Sequence, residues 1–546
     1  MKNTNTANRT KRFLSLFLAL ATTAAALFFA LSCKHANIAP TPPSPVSQET
    51  PLPEKKPVPG GSLRMVMPEN LSVGNPDYCP LVVKTEEALT LYSLVYEPLI
   101  TLDETNALVP CLAVKWSRNH ADPTRWTVSL RENVSFHSGE TFGADDVIYT
   151  WRRLNELGAE SYYSTSLAKI SSITKIDEST LSVTVNGNGI FDLYALNFPI
   201  IKASSPFDGT GPYRAARYND ERIKLEAFDA HWDRTPYIST VEFFSRDSNE
   251  TALFSYDAGQ LDFVPTAVLA AGKYRESGVT EVYNYMTQGM ETMLFNHRRS
   301  ILTKTAFRLG LAHAINRNRI ITNVYMHKAR SADVPVPPDS WLYNPAGTQI
   351  DYNPTLSVKL FEEAGLSRGD DGLFRLDDSP FELTLLVSGT NENTSRIDAA
   401  NAIAAQLSEV GITVEIISAP HGYSEDDSEF MTALRSMNWD IALVGFNLNC
   451  SNDLKPYLSQ HGANNYGGIP ESDFADVLAA IADAGDEESA REAFYALQER
   501  FIERLPFMVL YFRLNSLVCT AELKGVSLIR EPNIVRNIKN WYLLFE

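Results

Sequence analysis

The sequence lacks the residue patterns that many enzymes carry. None of its five cysteines forms a CxxC pair, which excludes a zinc ribbon and a thioredoxin-type centre. It contains no HExxH, no GxSxG and no Walker loop, so the common metalloprotease, hydrolase and nucleotide-binding motifs are absent. Basic residues are scarce, because 48 Lys and Arg stand against 66 Asp and Glu, for a net charge of −18. We expect no nucleic-acid binding, since phosphate neutralisation needs clustered cations.

Two short polar motifs could be taken for metal sites, and both are better explained as turns. His137 and Glu140 are three residues apart, but the Ser-Gly pair between them favours a hairpin turn. The stretch 370–372 (DDG) begins like a calcium loop but lacks further acids at the alternate positions. We therefore expect neither a metal nor a cofactor.

The N-terminus has the pattern of an export signal. Four basic residues lie within the first twelve positions, and 19 apolar or small residues follow from 13 to 31. A basic head before an apolar core is typical of export, because the charges stay inside while the apolar segment enters the membrane. Ser32-Cys33 resembles a lipobox, with Ala30 at the usual leucine position; removal of 1–32 would leave Cys33 lipidated. The alternative is an uncleaved membrane anchor, since the run nearly spans a bilayer.

Residues 33–60 are predicted to form a tether. Eight prolines fall between positions 34 and 60, and such a stretch favours extended polyproline II rather than a packed core. The cysteines left after Cys33 are Cys79, Cys111, Cys450 and Cys519. In an oxidising compartment they allow two disulfides, but a chain of this size can equally keep buried thiols, and the sequence leaves both open.

From residue 61 onward, strand and helix patterns alternate. Without its first 60 residues, the 546-residue chain is long enough for two or three domains of about 150 residues. Apolar residues alternate over 381–387, recur at helical spacing after a cap at Thr394, and alternate again over 412–416. This order predicts a βαβ unit with parallel pairing, and hence α/β lobes. Further predictions are a strand over 181–185 and helices from Asp145, over 474–481 and over 486–501.

Seven ordered blocks of sequence carry a family resemblance. They are 95–100 (VYEPLI), 126–131 (WTVSLR), 134–147 (VSFHSGETFGADDV), 209–213 (GTGPY), 259–262 (GQLD), 312–317 (AHAINR) and 360–365 (LFEEAG). In this order they resemble the family 5 extracytoplasmic solute-binding proteins of ABC importers, which handle dipeptides, oligopeptides, nickel chelates and some other solutes.

The resemblance implies an α/β fold of two lobes, the Venus-flytrap periplasmic-binding-protein fold of class II type, with an extra subdomain. Lobe I is expected from three separated segments, 61–101, 209–292 and 514–546. The inserted subdomain is expected at 102–208 and lobe II at 293–513. The chain would then cross between the lobes near 293 and 513, and a few residues there would absorb the hinge motion.

The resemblance also implies where a ligand would bind. The candidate residues are Leu81, Val82, Arg396, Arg435, Phe446, Asn447, Asn449 and Asp453. Leu81 and Val82 fall in an expected early strand whose edge would pair with a peptide backbone. Arg396 and Arg435 lie near the positions of family residues that reach a peptide carboxylate, although ordinary solvated arginines are equally compatible.

The stretch 444–449 departs from the family pattern at two positions. Phe446 stands where a tryptophan is common, and Asn449 stands where peptide binders have an aspartate that pairs with the free amine. A neutral amide accepts a hydrogen bond but forms no charge-assisted pair. Either Asp453 takes over this role or the ligand is not an ordinary free-amine peptide. Asn449 is equally compatible with a simple turn residue.

The resemblance thus implies a substrate-binding lipoprotein that captures oligopeptides between its lobes and delivers them to the permease and ATPase of an ABC importer. It is expected as a monomer in the periplasm or at the cell surface, held on a bacterial membrane by its lipid anchor. The alternatives are the same fold with another cargo (a nickel chelate, haem, a sugar or a modified peptide), a secreted hydrolase, or an adhesin, the last suggested by the RGD tripeptide at 368–370.

Overall fold

The computed structural model describes residues 57–66, 80–82, 86–205, 208–218, 222–246, 248–389, 394–420 and 428–545. The predicted signal 1–32, the lipidation site Cys33, the tether up to residue 56, and Cys79 lie outside these residues. Within the described part of the chain, no helix is both long and apolar enough to cross a membrane.

The fold is a mixture of strands and helices. In chain order the strands are β1 (Ser62–Val66), β2 (Ile100–Leu102), β3 (Leu108–Pro110), β4 (Ala113–Arg118), β5 (Arg125–Leu130), β6 (Ile170–Asp177), β7 (Thr180–Val185), β8 (Tyr213–Tyr218), β9 (Arg222–Ala227), β10 (Thr240–Phe244), β11 (Phe263–Thr266), β12 (Thr280–Phe295), β13 (Ala329–Ser331), β14 (Ser367–Arg368), β15 (Phe374–Leu376), β16 (Ser379–Pro380), β17 (Glu382–Ser388), β18 (Thr413–Ala419), β19 (Ile441–Asn447), β20 (Phe507–Thr520), β21 (Leu523–Lys524) and β22 (Tyr542–Leu543). The helices are α1 (Glu86–Val95), α2 (Ala144–Leu157), α3 (Ser164–Leu167), α4 (Asn249–Asp257), α5 (Thr305–Ala314), α6 (Arg317–Asn323), α7 (Pro354–Glu363), α8 (Ser395–Glu409), α9 (Glu429–Ser436), α10 (Lys455–Leu458), α11 (Ala475–Asp483) and α12 (Glu487–Arg504). Short 3₁₀ segments lie at Gly158–Glu160, Ile190–Leu196, Leu269–Ser277, Ser300–Thr303, Glu471–Asp473 and Ile538–Asn540.

One eleven-stranded sheet contains half of these strands. Its order is β18-β17-β19-β12-β20-β11-β1-β10-β9-β8, and β13 pairs with β20. The antiparallel pair β12 and β20 lies at its centre, and these are the longest described strands, with 16 and 14 residues. β12 is buried without interruption over 285–295, as expected of a strand covered on both faces. Strands from 382–447 lie on one side of the pair and strands from 62–66 and 213–266 on the other.

A second sheet is antiparallel and has the order β4-β5-β7-β6. It includes β7 at the predicted strand 181–185, and α2 packs against β6. α2 confirms the helix predicted from Asp145. Its Asp146 carboxylate accepts the backbone N–H of Gly143 at 3.0 Å, which closes the first turn.

The predicted βαβ unit at 381–418 is confirmed, because β17 and β18 pair in parallel and α8 connects them. The predicted capping role of Thr394 is wrong. Its backbone is already helical, and its hydroxyl donates to the Asp398 carboxylate at 3.1 Å instead of accepting a backbone N–H. Gly411 follows the helix with φ of 94°, a left-handed conformation that favours glycine. The helices predicted over 474–481 and 486–501 are α11 and α12.

Both motifs predicted as turns are turns. A bridge between Ser135 and Thr141 closes the first one, with Gly139 at φ of 90°. Residues 370–372 turn between β14 and β15, which pair antiparallel. Within the described ranges, no group of three His, Cys, Asp or Glu side chains could hold a metal ion.

Cys111 and Cys519 are buried thiols. Burial raises the pKa of the Cys519 thiol to about 12 and raises the pKa of Cys111 well above its ordinary value, so both thiols are neutral and unreactive near pH 7. The alternative of two disulfides among the four cysteines is therefore wrong.

A buried carboxylate fastens the segment that follows α1. Glu97 is 8% exposed. It accepts hydrogen bonds from Thr210 Oγ1 and Trp232 Nε1, both at 2.9 Å, and contacts His231 Nε2 at 3.1 Å. These bonds satisfy a group whose burial would otherwise be unfavourable, and they join the family-like blocks 95–100 and 209–213.

Two glycines let these blocks approach closely. A Cβ at Gly209 would lie 2.0 Å from the carbonyl oxygen of Val95, and one at Gly211 would lie 2.6 Å from that of Leu94. Any other residue at either position would push the two backbones apart. The glycines of the GTGPY block therefore position α1 and the residues that follow it.

Candidate ligand-binding site

A cavity of about 360 Å³ lies where four separate stretches of the chain meet. Its lining residues come from 89–102, 162–199, 447–453 and 532–536. The volume is at the lower end of the roughly 300–1,000 Å³ that is typical of small-molecule sites. The Glu97 network positions the first stretch, and the end of β19 positions the third. The cavity is therefore the candidate site for a small ligand.

Tyrosines form one part of the cavity wall. They are Tyr92, Tyr96, Tyr162, Tyr163 and Tyr194. Tyr194 is held in place, because its hydroxyl donates to the Asn106 carbonyl at 2.6 Å and accepts from Trp341 Nε1 at 3.3 Å. The rings of Tyr162 and Tyr163 meet edge to face, with centroids 5.3 Å apart. Burial raises the pKa of Tyr163 and Tyr194, so both are neutral near pH 7. This tyrosine wall suits an apolar or aromatic group.

The two C-terminal stretches supply polar groups. They are Asn447, Asn449, Cys450, Ser451 and Asp453 from 447–453, and Asn533 and Arg536 from 532–536. Lys169 adds a third charged group, so the described lining residues carry two cations and one carboxylate. Amides and charged groups of this kind can pair with a peptide backbone and with charged ends.

Asn449 holds its own loop together. Its side-chain oxygen accepts hydrogen bonds from Ser451 Oγ at 3.0 Å and from the backbone N–H of Asp453 at 2.9 Å. The loop therefore uses this oxygen, as the interpretation of Asn449 as a turn residue predicts. Asp453 Oδ1 in turn accepts the backbone N–H of Lys455 at 3.1 Å. Asp453 carries the negative charge of the described cavity lining.

Arg536 reaches the cavity from the C-terminal part of the chain. Its Nε and Nη1 atoms are buried and have no hydrogen-bond partner among the described residues. Burial lowers the pKa of this guanidinium, and the charge of Asp103 opposes that effect. Sequence reasoning does not identify Arg536, because none of the family-like blocks extends to 532–536 and no local pattern distinguishes it from other arginines.

Arg396 is engaged outside the cavity lining. Its guanidinium forms a two-point ion pair with Glu291, Nε to Oε2 at 3.1 Å and Nη2 to Oε1 at 2.9 Å, and Nη1 donates to Ser388 Oγ at 2.7 Å. Glu291 lies on β12 and is 4% exposed, and Arg513 Nε from β20 is 3.5 Å from the same carboxylate. A Cβ at Gly445 would lie 2.6 Å from Arg396 Nη2, so this glycine makes room for the pair.

Phe446 and Asn447 are neighbours on β19 but have different surroundings. Phe446 is buried and packs against Tyr457 and Tyr466, with ring centroids 5.0 and 6.4 Å away. Asn447 lines the cavity. The difference follows from strand geometry, because successive side chains point to opposite faces.

The remaining candidates are also outside the cavity lining. Arg435 lies in the last turn of α9 and is exposed. Leu81 and Val82 form part of a turn rather than the expected strand. Leu81 is fully buried, and its carbonyl accepts the Ser161 hydroxyl at 2.7 Å. The structure thus brings Asn447, Asn449 and Asp453 to the cavity, together with the tyrosine wall and Arg536.

Comparison with known proteins adds four findings. Residues 107–468 match the family model "Bacterial extracellular solute-binding proteins, family 5 Middle". The dipeptide-binding protein of Escherichia coli (strain K12) is 25% identical over 376 residues, which cover 61% of this chain and 68% of that protein. Heme-binding protein A of Haemophilus influenzae is 24% identical over 440 residues, which cover 73% and 78%. The solved unliganded open form of the periplasmic murein tripeptide-binding protein MppA has a TM-score of 0.77 at 18% identity and covers 89% of this chain and 98% of its own.

The structure has the two-lobed α/β fold, so the fold class expected from the sequence is confirmed. The chain belongs to family 5 of the bacterial extracellular solute-binding proteins, because the family model matches residues 107–468, more than half of the chain. It is a substrate-binding protein of the ABC-importer type and not an enzyme, which sets the hydrolase alternative aside.

Proposed function

We propose that this protein is a substrate-binding lipoprotein of an ABC importer, which captures oligopeptides in its cavity and delivers them to the permease, while the ATPase supplies the work. The observation that supports this most is the composition of the cavity, where polar groups from 447–453 and 532–536 meet the tyrosine wall. A peptide suits the polar groups through its backbone and charged ends, and it suits the tyrosine wall through its apolar side chains.

On this proposal the cavity lies between two lobes. Lobe I consists of 61–101, 209–292 and 514–546, lobe II of 293–513, and the added subdomain of 102–208. The sheet order supports the division, since β17–β19 lie on one side of the β12 and β20 pair and β1 with β8–β11 on the other. The two central strands then act as the hinge, and the preference of the ligand for the closed form drives closure.

Asp453 binds the free amine of the peptide in this proposal. Asn449 is neutral, and its side-chain oxygen already serves the loop. A carboxylate forms a charge-assisted hydrogen bond with an ammonium group, which is roughly twice as strong as a neutral one. Asp453 therefore takes the role that the family aspartate has at the position of Asn449.

Calorimetric titration with a mixture of random tripeptides tests the proposal. We expect heat of binding and a higher midpoint of thermal unfolding, because a ligand that binds the folded state alone stabilises it. The same amino acids, unlinked, are the control. A titration without heat and without a thermal shift would speak against peptide cargo.

A second candidate is the same fold with a non-peptide or modified cargo, such as a nickel chelate, haem, a sugar or a modified peptide. Asn449 favours it, because a neutral amide replaces the charge that would bind a free amine. The tyrosine wall also suits a planar group. Mass spectrometry of the ligand released from purified protein distinguishes the two candidates by the mass, metal content and charge of what is released.

The lipid anchor at Cys33 and the tether 33–60 place the protein in the periplasm or at the cell surface, where it acts as a monomer. Cys33→Ser removes the attachment point of the lipid. Because the variant can keep the apolar run 13–31 in the membrane, the measurement is lipid incorporation: in cells fed a labelled fatty acid, we expect the wild type to take up label and Cys33→Ser to take up none. A wild-type protein that takes up no label would favour the uncleaved anchor.

A further inference from the structure

We propose that Arg536 binds the carboxylate of the cargo, so that the cavity selects short peptides with a free C-terminus. This inference rests on the proposed function and adds the residue that recognises one end of the ligand. Arg536 lies outside every stretch from which the sequence predicts a ligand contact.

The guanidinium of Arg536 has unused hydrogen-bonding capacity in the cavity wall. Its Nε and Nη1 atoms are buried and lack a partner among the described residues, and the side chain lines the cavity. Leaving buried donors of a charged group unpaired is unfavourable, whereas a carboxylate can accept two parallel N–H bonds from an arginine. Nε and Nη1 are shielded in this conformation, so a ligand carboxylate reaches them once the side chain turns toward the cavity that it lines.

Neighbouring carboxylates attract Arg536 but do not bind these two atoms. Asp103 and Glu104 both act on it electrostatically. Oδ1 of Asp103 already accepts the N–H and hydroxyl of Thr105 and the N–H of Ala107, at 2.7 to 2.9 Å. The acids therefore offset part of the effect of burial on the guanidinium, and neither accepts a hydrogen bond from Nε or Nη1.

The other cations are less suited to this role. Arg396 is paired with Glu291, and Arg435 is exposed outside the cavity lining. Lys169 lines the cavity, but an ammonium group is a strongly hydrated point charge without the planar fork of an arginine. With Asp453 for the amine and Arg536 for the carboxylate, the described lining matches both ends of a zwitterion.

The size of the cavity suits a short ligand. Its volume of 360 Å³ corresponds to about twelve water molecules at ~30 Å³ each. A peptide of a few residues fits such a space, with an apolar side chain against the tyrosine wall. The pairing of both ends of the ligand, with Asp453 and with Arg536, therefore applies to a short peptide.

The test compares tripeptides that end in a carboxylate with the same tripeptides that end in an amide. A mixture built from Gly, Ala, Leu and Phe carries no charged side chains, so the C-terminus is its sole anion. We expect the full chain to bind the acids at least tenfold more tightly than the amides in calorimetric titration. Arg536→Gln should bind acids and amides alike, with an amide affinity within about threefold of the wild type. Arg536→Lys should keep part of the preference, because it keeps the charge but loses the fork.

Arg152→Gln is the matched control, since this arginine is exposed on α2. It should keep the full tenfold preference, and the thermal midpoint of each variant shows whether it folds. Equal binding of acids and amides by the wild type, or an undiminished preference in Arg536→Gln, would overturn the inference while the proposed function stands. If neither mixture binds the wild type, the proposed function itself fails. If Arg536→Gln does not fold, the test rests on the acid preference of Arg536→Lys and on the comparison of acids with amides in the wild type.

Discussion

Gly445 shows how a missing side chain makes room for an ion pair. We expect Gly445→Ala to lower the free energy of unfolding by about 1–3 kcal/mol, because overpacking at a filled site has a cost of that size. The new Cβ would lie 2.6 Å from Arg396 Nη2 and 2.8 Å from Glu291 Oε1. Gly272→Ala is the control, since nothing lies within 4 Å of its Cβ position. Urea unfolding measures the free energy of unfolding of both variants. A Gly445→Ala variant as stable as Gly272→Ala would contradict the prediction.

His137 and His297 link stability to pH. Burial is the main cause that lowers the pKa of both, and their Nε2 atoms contact the carbonyls of Gly211 at 3.0 Å and Pro506 at 2.8 Å. A histidine in the unfolded chain has a pKa of ~6.5. Below that pH the unfolded state binds protons that the folded state does not, so the free energy of unfolding falls as the pH falls.

We therefore expect the urea midpoint to decrease between pH 7.5 and 5.5, and to decrease less steeply in His297→Gln. A glutamine amide can still donate to the Pro506 carbonyl but does not titrate in this range. The exposed His120 provides the control variant His120→Gln, whose pH dependence should follow the wild type. If His297→Gln followed the wild type as closely, the buried histidine would not be the cause.

Single residues of the site are predictable from the sequence where they share a motif. Asn447, Asn449 and Asp453 follow one another closely and all reach the cavity. The same motif also points to Phe446, which strand alternation directs into the core. Arg536 has no such signal, because its place in the cavity wall depends on packing against stretches that are remote in sequence.

Elements are predictable where a periodic pattern is long enough to repeat. β17, α8 and β18 each carry such a pattern, and the structure has all three. Residues 80–82 are too few to show a period, and their apolar character suggests a strand where the chain forms a turn. Leu81 is apolar because its side chain is buried in the core, which requires no strand at this position.

At the element scale, Asp486 determines how α12 begins. Its carboxylate accepts the backbone N–H of Ser489 at 2.9 Å, and the Ser489 hydroxyl accepts the N–H of Asp486 at 3.3 Å. We expect Asp486→Ala to lower the free energy of unfolding by about 1 kcal/mol, the usual effect of losing such a cap. Glu499→Ala, exposed in the same helix, should stay within about 0.5 kcal/mol of the wild type.

The same cap has a pH signature. The hydrogen bonds from Ser489 lower the pKa of Asp486, so the carboxylate contributes stability above its unfolded pKa of ~3.9 and loses it as the pH falls below. The difference between wild type and Asp486→Ala in urea unfolding should therefore shrink in acid. A difference that persists at low pH would show that the cap does not depend on the charge.

At the scale of the whole molecule, β12 and β20 are the expected site of bending. Their register shifts between Met286 and Met290 and again between Glu291 and Thr292, and such irregularities increase local twist and interrupt pairing. We expect the radius of gyration from small-angle X-ray scattering to decrease when tripeptide acids bind. Arg536→Gln binds the same acids more weakly, so it should need at least tenfold more peptide for the same decrease. A radius that does not change in saturated wild-type protein would contradict a hinge between lobes.

The fold as a whole is predictable because ordered motifs are spread along the chain, and each motif keeps its own local geometry. The cavity is not predictable in the same way. It forms where 89–102, 162–199, 447–453 and 532–536 meet, and no local pattern states which distant stretches will be neighbours.

The hydrogen bond from Trp341 to Tyr194 has a practical consequence. Trp341 Nε1 lies 3.3 Å from the Tyr194 hydroxyl, and the Tyr194 side chain forms part of the cavity wall. A solute that contacts this phenol alters the polarity around the indole, and indole emission responds to its surroundings. Trp341 is one of seven tryptophans in the chain, so a change in intrinsic emission that Trp341→Phe abolishes would report an unlabelled solute in the cavity.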